Sequence, residues 1–317
     1  MRRRDFLAFA VAAWPLAALA QQASRKPVIG YLSPNDAGPV LGHFKEGLRR
    51  LGYVDGETIQ IEYRSADGKP ERLSSLAQEL VRLKVDVLVA YQTPSATAAK
   101  NATRQIPVVM AGTGDPVGTG LVVSLARPGG NITGIGGLTT DFGAKVLELI
   151  REVLPHSKRI GVLANANDPF TKPFLRELRN AGRDLELEMD AVMIREATEI
   201  ESAIANMARA RADALVVQPS LPRRAAAESA LKHRLPSISP SVLFPEDGGL
   251  FGYASDLREQ QQVAATFVDR ILKGAKPADL PVQQSTIFQL VVNLKSAETL
   301  GIKIPSSMLL RADRVIE

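Results

Sequence analysis

The sequence has 317 residues, which is long enough for two domains that each bury a core. It contains no cysteine, and this excludes disulfides, thiolate metal sites, a cysteine nucleophile and a lipid-modified N-terminal cysteine. The net charge of +5 arises from interspersed charges without a basic stripe, so we expect no nucleic-acid partner.

The N-terminal segment has the features of an export signal. Arginines occupy positions 2–4, and the apolar stretch Phe6–Leu19 follows them. That stretch is too short for a bilayer, which takes ~20 apolar residues, and Ala18-Leu19-Ala20 is a typical cleavage site. The run Arg3–Leu7 also resembles the twin-arginine signal. We therefore expect residues 1–20 to be a signal peptide that is removed, which leaves a soluble periplasmic protein.

The order of elements in the first half of the chain recurs in the second half. The run Val28–Asn35, a short apolar strand that ends in a polar loop, has the same form as residues 160–168. A second apolar strand follows each of them, Asp86–Ala90 and Asp213–Val217, and helical patterns lie between the strands. Strands that alternate with helices are typical of parallel sheets covered on both faces. The sequence thus predicts two similar α/β lobes.

Taken in chain order, the patterns divide the mature chain into three parts. Lobe one is predicted over residues 27–138, with strands at 28–32, 58–63, 85–90, 106–110 and 132–135 and a glycine-rich loop at 111–120. Lobe two is predicted over 139–253, with a first helix at 141–154 and strands at 159–164, 185–192, 213–217 and 250–253. The segment 254–317 repeats neither lobe. We expect it to cross between them, which makes a hinge rather than a loose linker.

The loops after the predicted strands are the candidate ligand site, because ligands of open parallel sheets bind beyond the carboxyl ends of the strands. These loops are rich in Ser, Thr, Asn, Gln and Gly, and they contain few charges. With the helix N-termini that follow them, they offer hydrogen bonds to a small polar ligand or a carboxylate. The candidate ligand-binding residues are Ser33, Gln92, Thr93, Pro94, Ser95, Gly114 and Asp115 in lobe one, and Asn165, Gln218, Tyr253 and Asp256 beyond it.

Several candidates also have a purely structural interpretation. Asp115 and Asp256 stand where helix caps are common, Asn165 suits a turn, and Tyr253 suits packing in the hinge. For Gln218, which directly follows a buried strand, the turn needs no glutamine, and both orientations of its side chain stay open. The sequence has no nucleophile elbow and no His-Glu-x-x-His motif, so no catalytic residue, metal or cofactor is predicted.

Seven short runs spread over nearly the whole mature chain carry a family resemblance. They are Ile29–Leu32, Gly47–Gly56, Leu83–Val89, Thr93–Ala96, Gly114–Gly118, Leu125–Gly134 and Arg311–Glu317. Together they resemble the ABC transporter substrate-binding proteins of the tryptophan/tyrosine-uptake-like family. The resemblance implies a type I periplasmic-binding-protein fold, with two Rossmann-like lobes, parallel sheets and a ligand cleft between the lobes.

The resemblance implies a solute-binding protein rather than an enzyme. Its expected ligand is a small polar or amino-acid-like molecule, such as an aromatic or other amino acid, and its expected partner is an ABC permease in the inner membrane. Two alternatives stay open. An enzyme on the same scaffold would need an acid or base with a strongly shifted pKa in the cleft. A ligand-sensing domain is disfavoured, because the residues before Val28 contain no helix-turn-helix pattern.

Overall fold

Strands and helices alternate along both halves of the computed structural model, which describes residues 25–138 and 142–317. The predicted signal peptide lies outside the described residues. The strands are β1 (Val28–Ser33), β2 (Gln60–Ser65), β3 (Val87–Tyr91), β4 (Val108–Gly114), β5 (Ile132–Leu138), β6 (Arg159–Asn165), β7 (Glu188–Ile194), β8 (Ala214–Val217), β9 (Ser237–Ser239), β10 (Phe251–Ser255), β11 (Gln283–Gln284), β12 (Phe288–Asn293) and β13 (Arg314–Ile316). The helices are α1 (Gly38–Arg50), α2 (Leu73–Arg82), α3 (Gln92–Ala102), α4 (Phe142–Val153), α5 (Thr171–Asp184), α6 (Ile200–Arg209), α7 (Arg223–Lys232), α8 (Leu257–Leu272), α9 (Leu294–Leu300) and α10 (Ser306–Arg311).

These strands form two separate sheets with the same internal order, which confirms the predicted pair of α/β lobes. The first sheet runs β11-β5-β4-β3-β1-β2, and the second runs β13-β12-β10-β9-β8-β6-β7. The pairs that build both sheets are parallel, except that β12 runs antiparallel to β10. In each lobe the first strand lies between the second and the third. This order places a topological switch point beside the first strand, at β1/β3 in one lobe and at β6/β8 in the other.

Helices cover both faces of the first sheet because its strands are apolar on both sides. Val87 and Val89 of β3 point to the face that α1 and α8 cover, where Phe44 and Phe267 pack. The intervening Leu88 and its neighbours point to the opposite face, which α2 and α3 cover. Side chains alternate between the faces of a strand, so a continuous apolar run fills two cores at once.

The second sheet repeats this arrangement. Ile160 and Val162 of β6 pack with Phe142 of α4 and Phe174 of α5 on one face. Leu163 points to the other face, where α6 and α7 lie. Both lobes therefore consist of three layers, with the carboxyl ends of their strands at one edge of each sheet.

The C-terminal part of the chain contributes to both lobes. Helix α8 packs in the core of the first lobe, whereas β12 and β13 extend the sheet of the second. The chain therefore passes between the lobes after β5, after β10 and after β11. Multiple short crossings restrict relative motion of two lobes to a hinge rotation. In the described part of the chain, no helix is both long and apolar enough to cross a membrane.

Two local details differ from the sequence-based predictions. Strand β4 continues to Gly114, through residues that were predicted to form a loop, because Gly112 at φ 77° accommodates a bulge and pairing with β5 resumes beyond it. Helix α3 begins at Gln92, and no side chain caps it. Thr93 and Ser95 lie inside the first turn of this helix.

Candidate functional site

The switch points of the two lobes face each other. The loop after β1 and the start of α3 in lobe one lie opposite the segment Gln218–Pro222 that follows β8. Asn35 Nδ2 donates to the carbonyl oxygen of Ser220 at 3.5 Å, and Gln92 Nε2 donates to that of Pro219 at 3.4 Å. The site is therefore a cleft whose walls come from different lobes, at the edges where α/β folds place ligands.

Asp168 is the acidic group of this cleft. Its Oδ2 accepts hydrogen bonds from Ser220 Oγ at 2.7 Å and from Gln218 Nε2 at 2.9 Å, while its Oδ1 accepts from the Phe170 backbone N–H at 2.9 Å. Only 5% of Asp168 is exposed. The turn after β6 and the segment after β8 thus fix the carboxylate from two sides.

No cationic side chain among the described residues pairs with Asp168. Burial raises the pKa of its carboxyl from 3.8 to about 6, although the hydrogen bonds from Ser220, Phe170 and Gln218 oppose this rise. A buried carboxylate without a counter-ion is costly, so the ionised form of Asp168 is disfavoured in this cleft.

The first lobe supplies hydrogen-bonding groups and strained backbone to the same cleft. Gln92 has a left-handed φ of 63°, which is uncommon for a residue with a side chain and is typical of functional positions. Thr93 Oγ1 accepts from the Gly114 backbone N–H at 3.0 Å, so the start of α3 is tied to the end of β4. This bond holds the helix start at the cleft wall.

The cavity between these walls has a volume of about 60 Å³. Its lining combines polar groups with apolar ones, and none of the lining residues is a histidine, lysine or arginine. Such a mixture of a few convergent polar groups with apolar walls is typical of small-ligand sites. The lining residues are Tyr91, Gln92, Thr93, Gly112, Gly114, Asp168, Phe170, Pro219, Ser220, Pro240, Ser241, Val242, Ala254, Ser255, Leu257 and Gln260.

Gln92, Thr93 and Gly114, which the sequence analysis selected, line this cavity. Asn165 and Gln218 do not line it but hold the residues that do. Gln218 Oε1 accepts from the Asn165 backbone N–H at 2.9 Å, and Gln218 Nε2 donates to Asp168 Oδ2 at 2.9 Å. Gln218 is therefore held within lobe two, and its amide nitrogen is directed at Asp168.

Ser33, Pro94 and Ser95 are buried close to the cleft edge of lobe one without lining the cavity. Ser33 Oγ donates to the backbone carbonyl of Asn35 at 2.6 Å, which shapes the loop after β1. Ser95 Oγ is buried without a hydrogen-bond partner in the first turn of α3. The three residues shape the loop and helix start that form this side of the cleft.

Asp115 and Asp256 are engaged in local hydrogen bonds. Asp115 Oδ1 accepts from the Gly118 backbone N–H at 2.8 Å. Asp256 caps α8 by accepting from the Glu259 N–H at 2.8 Å, and its other oxygen accepts from Gln289 Nε2 at 2.6 Å. Asp256 thus has the capping role that the sequence analysis gave as the alternative to ligand binding. Asp115 instead closes a turn that is followed by no helix, and its Oδ2 lies 4.0 Å from Arg176 Nη2 of α5.

Tyr253 lies in an aromatic stack at the hinge. Its ring lies between Phe142 and Phe288, with centroid distances of 6.2 and 5.7 Å. These partners belong to α4 and β12, the elements that follow two of the crossings. Tyr253 therefore has the hinge-packing role that was its structural interpretation.

Sequence reasoning did not select Asp168, Phe170, Ser220 or Gln260. Asp168 stands in one of the predicted loops, but Asp115 and Asp256 stand in others, and the pattern does not show which carboxylate points inward. Ser220 follows Gln218 by two residues in the loop after β8, so the rule that selected Gln218 could also have selected Ser220. Gln260 lies on α8, away from any predicted strand end. Its side-chain amide packs against Gly112, where a Cβ would lie only 2.5 Å from Gln260 Oε1, so a glycine is needed at that position.

The described residues contain no group of His, Cys, Asp or Glu side chains that could hold a metal ion. The arrangement of the cleft is instead that of a binding site, with hydrogen-bonding groups, one buried acid and apolar walls. Its chemistry is the recognition of a small molecule between two lobes.

Comparison with solved structures gives relatives that share this architecture. The chain aligns with an ABC domain in complex with L-Trp from Streptococcus pneumonia at 28% identity and a TM-score of 0.85, covering 92% of this chain and 100% of that one. A conserved domain protein from Vibrio cholerae aligns at 27% identity and a TM-score of 0.84, with the same coverage. The ligand-free, open structure of a substrate binding protein from Clostridium difficile aligns at 26% identity and a TM-score of 0.63, covering 92% and 99%.

Sequence comparisons agree with the structural ones. The chain is 29% identical over 268 residues to a tyrosine-binding protein from Clostridioides difficile, which covers 82% of this chain and 76% of that protein. Periplasmic binding proteins of lower identity share the fold. The profile of the family described as ABC transporter substrate binding protein matches residues 36–316. The chain belongs to the ABC transporter substrate-binding proteins.

Proposed function

We propose that this substrate-binding protein is exported to the periplasm, where it binds an amino acid and delivers it to an ABC permease in the inner membrane. The observation that carries the choice of ligand is Asp168, a buried carboxylate in the interlobe cavity that pairs with no described cation. An α-ammonium group would neutralise it. Ion pairing with a hydrogen-bonded ammonium offsets the cost of keeping this acid buried.

The start of α3 is the proposed place for the carboxylate of the ligand. Helix N-termini offer unpaired N–H groups and a positive dipole end, and no side chain caps this one. Ser95 Oγ, buried without a partner, is a further donor at the same turn. Gln92 and Thr93 line the cavity there. A zwitterion thus meets an acid from one lobe and a helix N-terminus from the other.

The apolar part of the cavity is the proposed place for the side chain of the ligand. Tyr91, Val242 and Leu257 line it. The curated relative is a tyrosine-binding protein, and the similar structure from Streptococcus pneumonia contains L-Trp. Both ligands are amino acids, which supports an amino acid as the ligand of this chain.

The lobe arrangement supports a mechanism of closure around the ligand. The chain is more similar in structure to the L-Trp complex, with a TM-score of 0.85, than to the ligand-free, open relative, with 0.63, although the identities are close. Two interlobe hydrogen bonds accompany this arrangement. A ligand that contacts both lobes favours the closed state by its higher affinity for it.

Calorimetric titration of the twenty amino acids against the wild type and Asp168→Asn tests the proposal, beside mass spectrometry of any ligand released from natively purified protein. We expect at least one amino acid to bind. Loss of the charged partner should then lower affinity by about 2–5 kcal/mol, or roughly 30- to several-thousand-fold. A released ligand without a cationic group, or undiminished binding by Asp168→Asn, would contradict the proposal.

A further inference from the structure

Phe170 lies between two cavities of very different size. It lines the cavity of about 60 Å³ that holds Asp168, and it also lines a neighbouring cavity of about 440 Å³ between α5 and the loop that follows β4. Among the described residues, Phe170 alone lines both. Only 5% of the residue is exposed, so its ring fills the boundary between the two spaces.

The backbone of Phe170 is fixed, whereas its side chain is the part that can change position. Its N–H donates to Asp168 Oδ1 at 2.9 Å, and its carbonyl accepts from the Phe174 N–H at 2.9 Å as α5 continues. On the lobe-one side the ring packs directly on Gly114, where a Cβ would lie 2.6 Å from the ring carbons. Side-chain rotation therefore requires space on the side of the larger cavity.

The smaller cavity cannot take an aromatic side chain while the ring stays in this position. A protein cavity of about 150 Å³ holds one benzene molecule, so about 60 Å³ is too small for a benzene ring and an amino-acid backbone together. The cavity beyond Phe170 is large enough to receive either the displaced ring or the end of a long ligand side chain.

We propose that Phe170 determines the specificity of the cleft, because its ring forms the wall that limits the size of the ligand side chain. The inference rests on the proposed function, in which an amino acid occupies the smaller cavity. Small side chains need little displacement of the ring, and large ones bind at the cost of displacing it further. Removal of the ring joins the two cavities and admits large side chains without that cost.

The test compares affinities for L-alanine, L-valine, L-phenylalanine and L-tryptophan. The variants are Phe170→Ala and Phe170→Leu, and Phe174→Leu is the matched control, since Phe174 packs beside Phe170 on α5 without lining either cavity. The only tryptophan of the sequence is Trp14, in the predicted signal peptide. Protein that lacks residues 1–20 has no tryptophan fluorescence, so the fluorescence of bound L-tryptophan can be read directly beside calorimetry.

We expect Phe170→Ala to lower the ratio of the Kd for tryptophan to the Kd for alanine by about tenfold or more, as removal of a size barrier in an apolar pocket typically does. Phe170→Leu should give a smaller change in the same direction, and it carries the test alone if Phe170→Ala does not fold. Phe174→Leu should leave the ratio unchanged. An unchanged ratio in the Phe170 variants would overturn the inference, and so would a raised ratio, which would make the ring a stacking partner of the ligand.

The outcomes separate this inference from the proposed function. If amino acids bind and Asp168→Asn abolishes their binding, but the Phe170 variants leave the ratio unchanged, only the inference about Phe170 fails. If no amino acid binds to the wild type or to Phe170→Ala, the amino-acid function and the inference fail together.

Discussion

Gln218 Nε2 donates to Asp168 Oδ2 at 2.9 Å, and the orientation of the Gln218 amide is fixed because its Oε1 accepts from the Asn165 N–H at 2.9 Å. The amide nitrogen of Gln218 is therefore directed at the carboxylate of Asp168. Gln218 lies directly after β8, and Asp168 lies in the turn after β6. The contact fixes the buried carboxylate from the neighbouring strand of the same lobe.

Gln218→Ala should weaken ligand binding because it releases Asp168 from this position. Loss of one hydrogen-bond partner of a buried charge costs about 1–3 kcal/mol, which is roughly 5- to 150-fold in affinity. Calorimetric titration of the variant with the best amino-acid ligand measures this loss. Gln218→Glu tests the same contact, because a carboxylate next to Asp168 has no N–H to donate. Wild-type affinity in both variants would contradict the assigned role.

Asp256→Ala should lower stability and leave affinity nearly unchanged. Removal of a helix cap costs about 1 kcal/mol, and this carboxylate also loses its bond from Gln289 Nε2. Thermal unfolding and titration of the same preparation measure the two quantities. A large loss of affinity at an unchanged melting temperature would instead place Asp256 in contact with the ligand.

The unliganded protein should lose stability as the pH rises, relative to Asp168→Asn. The unfolded chain ionises this carboxyl near 3.8, but burial raises the pKa of Asp168 to about 6 in the folded protein. The stabilising contribution of the protonated acid is therefore complete below 3.8 and is lost as the pH rises through about 6. Between about pH 4 and about pH 7 the wild type should lose roughly 2–3 kcal/mol against the variant.

Urea unfolding of both proteins across this pH range measures the difference. Saturation with a cationic ligand should reduce this pH-dependent difference in the free energy of unfolding, because an ammonium group next to Asp168 lowers the pKa of that carboxyl. Parallel stability curves for the wild type and Asp168→Asn would show that the acid does not titrate in this range.

Gly114→Val should keep the lobes apart. Gly114 belongs to lobe one, and a Cβ at this position would meet the ring of Phe170 in lobe two at 2.6 Å. Small-angle scattering should show that ligand reduces the radius of gyration of the wild type but not that of the variant. Gly130→Val is the control, since no atom lies within 4 Å of a Cβ at that exposed glycine. Ligand-induced compaction of Gly114→Val would argue against closure at this contact.

Processing of the N-terminus is a separate prediction. If residues 1–20 are an export signal, the protein recovered from the periplasm should begin at Gln21. Arg3→Lys with Arg4→Lys should block export only if the twin-arginine route is used, because a Sec signal tolerates any positive charge at these positions. N-terminal sequencing of cell fractions measures both effects. Intact Met1 in the membrane fraction would contradict the cleavage.

The sequence by itself determined the two lobes and the edge at which they bind a ligand. The strand-and-loop pattern at Val28–Asn35 recurs at residues 160–168, and apolar runs that fill both faces of a sheet predict parallel strands. The switch-point rule then selects Gln92 and Thr93, which line the cavity, and Gln218, which donates to Asp168. The prediction of two lobes succeeds because the periodicity of strands and the direction of parallel sheets are properties of neighbouring residues along the chain.

Only the tertiary structure decided which acid faces the cavity. Asp115, Asp168 and Asp256 all follow predicted strands, and each can cap a helix or face a ligand. All three accept a bond from a nearby backbone N–H group, but of the three only Asp168 lines the cavity, where Gln218 and Ser220 also donate to it. The difference comes from the packing of segments about fifty residues apart and from the approach of a second lobe. Such long-range contacts set the burial of a carboxylate, and no local pattern encodes them.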